Sequence, residues 1–296
     1  MQPWTIKPLD WRGASESEYA ALHRFMESMR EEQWPEDAPL PLEDAIRGWR
    51  TTPSFLEIES FAAWLPDGTI GGHGRVTFRR AADNQHLVEI ELGVLPRQRR
   101  QGMGHALLAR LVEMPTRDGR RLMLAWTTDR IPAGEAFMRR IGATRGMVEK
   151  VSQLALPDLN RELLDTWLRR APERAGGFEL GFWDGVYSDA DVGAVVELLH
   201  VMNDAPRQGL EIEDEQTTVP QMREWERTLT ERGIERWTAY MREVATGKLA
   251  GYTDTFWSPH QPTLLRQGGT GVWPQYRNKG IGRWVKAAMI ERVLRE

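Results

Sequence analysis

Val94-Leu95-Pro96-Arg97-Gln98-Arg99-Arg100-Gln101-Gly102-Met103-Gly104 recurs as Val272-Trp273-Pro274-Gln275-Tyr276-Arg277-Asn278-Lys279-Gly280-Ile281-Gly282, 178 residues further on. Five positions agree: the Val, the Pro, the Arg and both Gly. Working upstream from this pair, Pro66-Asp67-Gly68-Thr69 with Gly72-His73 answers to Ala245-Thr246-Gly247-Lys248 with Gly251-Tyr252, at an offset of 179. Further back, Asp37-Ala38-Pro39 resembles Asp204-Ala205-Pro206. Three matched landmarks in one order mean a duplicated domain, and a repeat of this kind governs every later reading.

The first copy is read outward from its loop. Leu87 to Leu95 alternates, with Val88, Ile90, Leu92 and Val94 on one face and Glu89, Glu91 and Gly93 on the other, a strand pattern. Gly104 to Met114 has helical periodicity. Upstream lie two strands, Phe55 to Ala63 and Thr69 to Arg79, joined by the Pro66-Asp67-Gly68 turn. Before them come two helices, Ser15 to Glu31 with Ser15 as N-cap and Leu42 to Arg50. Downstream, Arg121 to Thr127 reads as a strand, Ala133 to Ile141 as a helix and Gly146 to Ala155 as closing strand structure.

The second copy repeats this order, with helices at Ala190 to Met202 and Val219 to Glu231 and strands at Arg236 to Val244, Leu249 to Phe256 and Leu264 to Val272. A helix from Gly282 to Glu296 follows. The expectation is an α/β protein with mixed α+β sheets: a first domain over 1–156, a linker over 157–185 and an incomplete second domain over 186–296 that lacks the C-terminal strand-helix-strand part. The linker can hold a helix at Glu162 to Arg170, ahead of a break at Ala175-Gly176-Gly177.

Composition narrows the function. The 296 residues contain no cysteine, which removes disulfides, a thiolate nucleophile and Cys-type metal sites. The six histidines are scattered, with no HExxH or HxH spacing, so no metal site is expected. With 39 basic and 43 acidic residues the net charge is -4, and neither half has a basic excess, so nucleic acid is not an expected partner. No apolar run reaches the roughly 18 residues of a membrane span and Met1 to Asp10 has no signal-peptide core, so a cytoplasmic protein without a membrane partner is expected.

A strand that runs through a Gly-rich turn into a helix presents free N–H groups and the positive end of the helix dipole, which suits phosphate oxygens. Arg99, Arg100 and Gln101, or Arg277, Asn278 and Lys279, surround the same turn with charge and donors. A dinucleotide fingerprint would need a third Gly where Leu107 and Val285 stand, and a P-loop would need a Gly-Lys-Ser/Thr ending. A plain connecting turn is the bland alternative for one copy, but the doubling argues against it.

With these residues in view, the sequence resembles the GNAT superfamily of acyl-CoA N-acyltransferases, whose signature V-x-P-x-x-[RQ]-x-x-G-x-[GA] both copies satisfy. It also looks like the tandem actinobacterial type, of which mycothiol synthase is one relative. The resemblance implies acetyl-CoA as cofactor, with Arg99, Arg100, Gln101, Gly102, Met103 and Gly104 at its pyrophosphate and the backbone of Leu92 and Val94 along its pantetheine arm. In the second copy it implies the same of Val272, Arg277, Asn278, Lys279, Gly280 and Gly282.

The implied reaction is transfer of an acetyl group to a primary amine of a small molecule by direct attack. That chemistry needs a base for the ammonium proton and donors for the oxyanion, and no covalent enzyme intermediate. Glu91 is the first candidate base and Glu89 the second, against the alternative that both are the solvated side of a strand. Met138 follows Phe137 where the family commonly has a proton-donating Tyr. Trp34, Tyr252, Asp254 and Asn203 are candidate acceptor-site residues, with cap, strand-surface and packing roles as alternatives. Copy one is the expected seat of catalysis because copy two has no fifth strand, although in the mycothiol-synthase relatives the second copy is the active one. A non-catalytic acyl-CoA-binding protein is the alternative function, and a second copy of the chain is a candidate partner through the open sheet of copy two.

Overall fold

The computed structural model describes residues 4–296. The chain divides into two compact units, Met1–Thr144 and Arg145–Glu296. No helix among the described residues is long and apolar enough to cross a membrane.

The first unit runs β1 (Thr5–Pro8), α1 (Glu16–Gln33), α2 (Leu42–Arg50), β2 (Leu56–Trp64), β3 (Ile70–Arg79), β4 (Leu87–Val94), α3 (Met103–Leu111), α4 (Glu113–Arg117), β5 (Leu122–Leu124) and α5 (Pro132–Arg140). Its five strands lie in sequence order, with β1 to β4 antiparallel and β5 parallel to β4. Ser15 starts α1 as a capping box: its hydroxyl receives the N–H of Glu18 while the Glu18 carboxylate receives the N–H of Ser15. Leu22 and Phe25 of α1 pack with Leu9, Trp11 and Ala62 in one cluster. Leu107 and Leu111 of α3 belong to two further clusters, with Ala63 and with Val76, Phe78 and Val88 respectively.

The second unit runs α6 (Arg161–Arg174), β6 (Phe178–Asp184), α7 (Val192–Leu199), α8 (Val219–Glu231), β7 (Glu235–Glu243), β8 (Leu249–Trp257), β9 (Leu265–Val272) and α9 (Ile281–Val293). Its sheet is antiparallel throughout, in the order β6-β7-β8-β9. Val192, Val195 and Val196 of α7, Met222 of α8 and Tyr252 share one cluster. Ile281, Val285 and Met289 of α9 share another with Ala239, Met241 and Ala250.

Two sequence expectations need correction. Gly146 to Ala155 forms no strand; it is irregular, and Val148, Val151 and Leu154 stand exposed. The strand pattern is present, but a strand needs a neighbour to take its hydrogen bonds. The range read as linker, 157–185, holds both α6 and the whole of β6. β6 pairs with β7 from Phe178↔Glu243 to Asp184↔Trp237, so it is the first strand of the second sheet, as β1 is of the first.

Candidate active site

The two repeated turns adopt the same backbone. Each strand ends in a 3-10 turn, Pro96–Gln98 or Pro274–Tyr276, and enters its helix through two left-handed residues. These are Arg100 (φ 64°) and Gly102 (φ 83°) in the first unit, Asn278 (φ 65°) and Gly280 (φ 85°) in the second. No side chain caps α3 or α9, so the first-turn N–H groups of both helices remain for a ligand. Among the described residues, chain neighbours apart, nothing lies within 4 Å of where a Cβ on Gly102 would stand, so that point beside the first loop is open. At Gly280 the nearest atom to that point is Arg174 Cβ of α6, at 3.7 Å.

The signature arginines face elsewhere than the sequence implied. Arg99 Nε donates to the Val94 carbonyl at 2.9 Å and its fork grips the Glu32 carboxylate, with Nη1 to Oε1 at 2.7 Å. Arg277 repeats this, Nε to the Val272 carbonyl at 3.0 Å and Nη2 to Asp204 at 3.2 Å. A guanidinium held at both ends braces the turn. The other loop residues divide by role. Arg100 and Gln101 are exposed, the latter donating to the Arg97 carbonyl at 3.1 Å. Lys279 stands 5.3 Å from the Phe178 ring centroid. Met103 is buried in the core, which leaves only its backbone for a ligand. Leu92, Val94 and Val272 pack at the edges of core clusters, and Phe137 lies 3.3 Å from where a Cβ on Gly104 would stand. Val272 Cγ2 lies 3.6 Å from the same point on Gly282.

The glutamates of β4 lie on its exposed side. Glu91 is 56% exposed and paired with Arg75, its cross-strand neighbour on β3, while Glu89 stands opposite Thr77. Trp34 is the C-cap residue of α1, with the Arg130 guanidinium 5.0 Å from its ring centroid.

The second unit brings two of its acceptor candidates, Tyr252 and Asn203, to one cleft. A cleft of about 400 Å3 is lined by Tyr252, Asn203, His200, Met202, Glu213 and Glu215, among others. Asn203 clamps its wall, donating to the Glu215 carbonyl at 3.0 Å and accepting the Glu215 N–H at 2.9 Å. Asp254 follows Tyr252 two residues on, so both side chains leave the same face of β8. Asp254 is 9% exposed, and its Oδ1 has no hydrogen-bond partner. Burial pushes its carboxyl up to about 6 and outweighs the Gly269 N–H and the Arg236 charge, which act the other way. Tyr252 is raised as well, by burial and then by Asp254.

By the 179-residue offset, Tyr252 and Asp254 correspond to His73 and Arg75 in the first unit. His73 is 3% exposed, as Tyr252 is, and it is stacked on Trp11 at 6.2 Å and set against Phe25 at 6.0 Å. Burial, with the nearby Arg75 charge, holds its imidazole down at about 3.

One group was missed in the sequence. Glu226 of α8, 3% exposed, accepts from Arg236 at 2.7 Å, Arg223 at 2.7 Å and the Tyr187 N–H at 2.8 Å. The available signal was its spacing: Glu226 sits four residues after the buried Met222, on the apolar stripe of α8.

With this geometry in hand, the chain is seen to have the GNAT fold twice over. A tandem GNAT protein from the clavulanic acid biosynthesis pathway, solved without AcCoA, is similar with a TM-score of 0.73 and 22% identity over 98% of this chain and 86% of its own. A GCN5-related N-acetyltransferase from Sphaerobacter thermophilus is similar with a TM-score of 0.61 and 13% identity over 98% of this chain and 83% of its own. Residues 21–143 match the model of the Acetyltransferase (GNAT) family. No curated protein matches the chain by sequence.

Proposed function

We propose that the protein is an acetyl-CoA-dependent N-acetyltransferase that acts on a primary amine of a small molecule by direct attack, a tandem enzyme of the mycothiol-synthase-like kind. The observation that carries this reading is the pair of turns with matching backbone angles, each with two left-handed residues ahead of an uncapped helix. In the first unit the backbone N–H groups after Gly102 would hold the pyrophosphate, and the open space there fits it. The bound thioester supplies the acyl group. Arg99 and Arg277 hold the turns in shape against Glu32 and Asp204.

The acceptor belongs to the second unit in this proposal, a reversal of the preference for copy one. Glu91 is engaged by Arg75, whereas a cleft lined by Asn203 and by one side of the buried Tyr252 stands in the second unit. The first unit then binds acyl-CoA without turnover, for which Met138 in place of a proton donor is a further argument.

Calorimetric titration with acetyl-CoA tests the reading. Binding is expected at tens of micromolar or tighter, and its absence there would overturn it. Gly102→Val puts a β-branched residue at φ 83° and is expected to weaken binding at the first turn by at least about tenfold. Gly280→Val does the same for the second, so the pair of variants assigns each binding event to its unit.

A further inference from the structure

Tyr252 is a buried phenol whose hydrogen-bonding capacity is unused. It is 3% exposed and lines the cleft of the second unit, and its oxygen makes no hydrogen bond with a described residue. Unlike Asp254 Oδ1, that oxygen is not sealed off, so it belongs to the small area that Tyr252 turns to the cleft. Burial and then Asp254 raise the phenol, which keeps it protonated at neutral pH. β9 clears the room it occupies: a Cβ on Gly269 would stand 2.4 Å from Tyr252 Oη, and one on Gly268 2.4 Å from Asp254 Oδ1. Two residues on from Gly269, a Cβ on Gly271 would stand 3.5 Å from Sδ of Met202, which also lines the cleft. A phenylalanine would fill the place of Tyr252 without an idle hydroxyl, so the use of that hydroxyl lies outside the folded chain.

The wall of the cleft is fixed before any ligand arrives. Besides the Asn203 clamp, Arg207 closes the loop after α7 on itself, donating to the Ile212 carbonyl and to Asp214, both at 2.5 Å. A strap that carries Met147 and Glu149 is tied to this loop: the Gln208 amide donates to the Val148 carbonyl at 3.2 Å and accepts the Val148 N–H at 3.3 Å. The lining is apolar at Met202, Pro206 and Ile212 and acidic at Glu149, Glu213 and Glu215. Its guanidinium, Arg207, is already committed within the wall. A volume of about 400 Å3 lies at the lower end of the roughly 300–1,000 Å3 of small-molecule pockets, which suits a small ligand.

We propose that this cleft binds a small dication: an amine with an apolar body on Met202 and Ile212, one nitrogen hydrogen-bonded to the Tyr252 phenol, and a second cationic nitrogen at Glu149, Glu213 and Glu215. The proposal names the acceptor class of the acyl-transfer reading above and rests on that reading for turnover. The acids draw the second cation from the rim, where water and salt weaken each contact. The phenol acts where water is scarce, so its single hydrogen bond counts for more. A neutral molecule of the same shape gains the apolar contact alone, and an anion is repelled by three carboxylates.

The experiment titrates the full chain calorimetrically with 1,6-diaminohexane and with n-hexylamine, which has the same hydrocarbon body and a single cation. The diamine is expected to bind at least about tenfold more tightly, and its advantage should shrink as salt rises from about 0.05 to about 0.5 M. The triple variant Glu149→Gln, Glu213→Gln, Glu215→Gln should lose that advantage and keep the affinity for hexylamine. Tyr252→Phe should weaken both ligands alike, by about fivefold or more, and melt no lower than the wild type, since the hydroxyl has no partner in the fold to lose. Equal affinity for the two amines, an advantage that survives in the triple variant, or a Tyr252→Phe that binds both unchanged overturns the assignment. So does a diamine that gives no heat at about 10 mM. The titrations need no acetyl-CoA, so its failure to bind would be a separate outcome, removing the acyl-transfer reading and leaving a site that only binds the dication.

Discussion

Glu226→Ala is expected to destabilise the second unit by on the order of 3–5 kcal/mol, because it leaves a buried guanidinium without its partner. Arg236 is 5% exposed and Glu226 3%, and the carboxylate also receives Arg223 and the Tyr187 N–H. Water cannot reach Arg236 to replace what is lost. The comparison that isolates this cause is the double variant Glu226→Gln, Arg236→Met, which removes both charges and should recover most of the loss. Urea unfolding at neutral pH measures both. A single variant within about 1 kcal/mol of the wild type would mean that the pair is not the brace described.

The second large effect is an acid sensitivity of the first unit, centred on His73. Its imidazole has a folded value of about 3 against 6.5 when free, because burial between Trp11 and Phe25 disfavours the cation. A depressed value means that the stability is present above about pH 6.5 and is lost as pH falls toward 3. Integrated over that window the loss amounts to on the order of 4–5 kcal/mol, given about 1.4 kcal/mol for each pH unit. His73→Phe keeps a flat ring in the stack and cannot be charged. Its advantage over the wild type should therefore grow steadily as unfolding is measured from about pH 7 down to about pH 4. A constant difference across that range would show that His73 is not desolvated in the folded state.

The elements that were legible in the sequence are those specified by near neighbours. The Ser15 box is decided within four residues, and the left-handed turns by glycines at fixed offsets. What was illegible depends on distant partners. The fork of Arg99 closes on Glu32, 67 residues away, so the sequence shows a basic loop where the structure shows a brace. β6 exists because β7 pairs with it, and the similar pattern at Gly146 to Ala155 stays irregular. His73 looks like an ordinary strand residue until Trp11 covers it, and the sequence that marks Asp254 as an acceptor-site candidate does not show the Gly268-Gly269 step beside it. The raised carboxyl of Asp254 is a property of that surrounding, which no local spacing encodes.

Arg100 and Asn278 are non-glycine residues at φ 64° and 65°, a conformation that costs each on the order of 1 kcal/mol or more. The folded units bear that strain already, with Arg99 and Arg277 bolting the turns from behind. On the proposed acetyl-CoA reading, an incoming diphosphate would therefore meet donors that are already aimed. Its association entails little loss of chain entropy, and the release rate is governed by contacts made rather than by a loop that must first be organised.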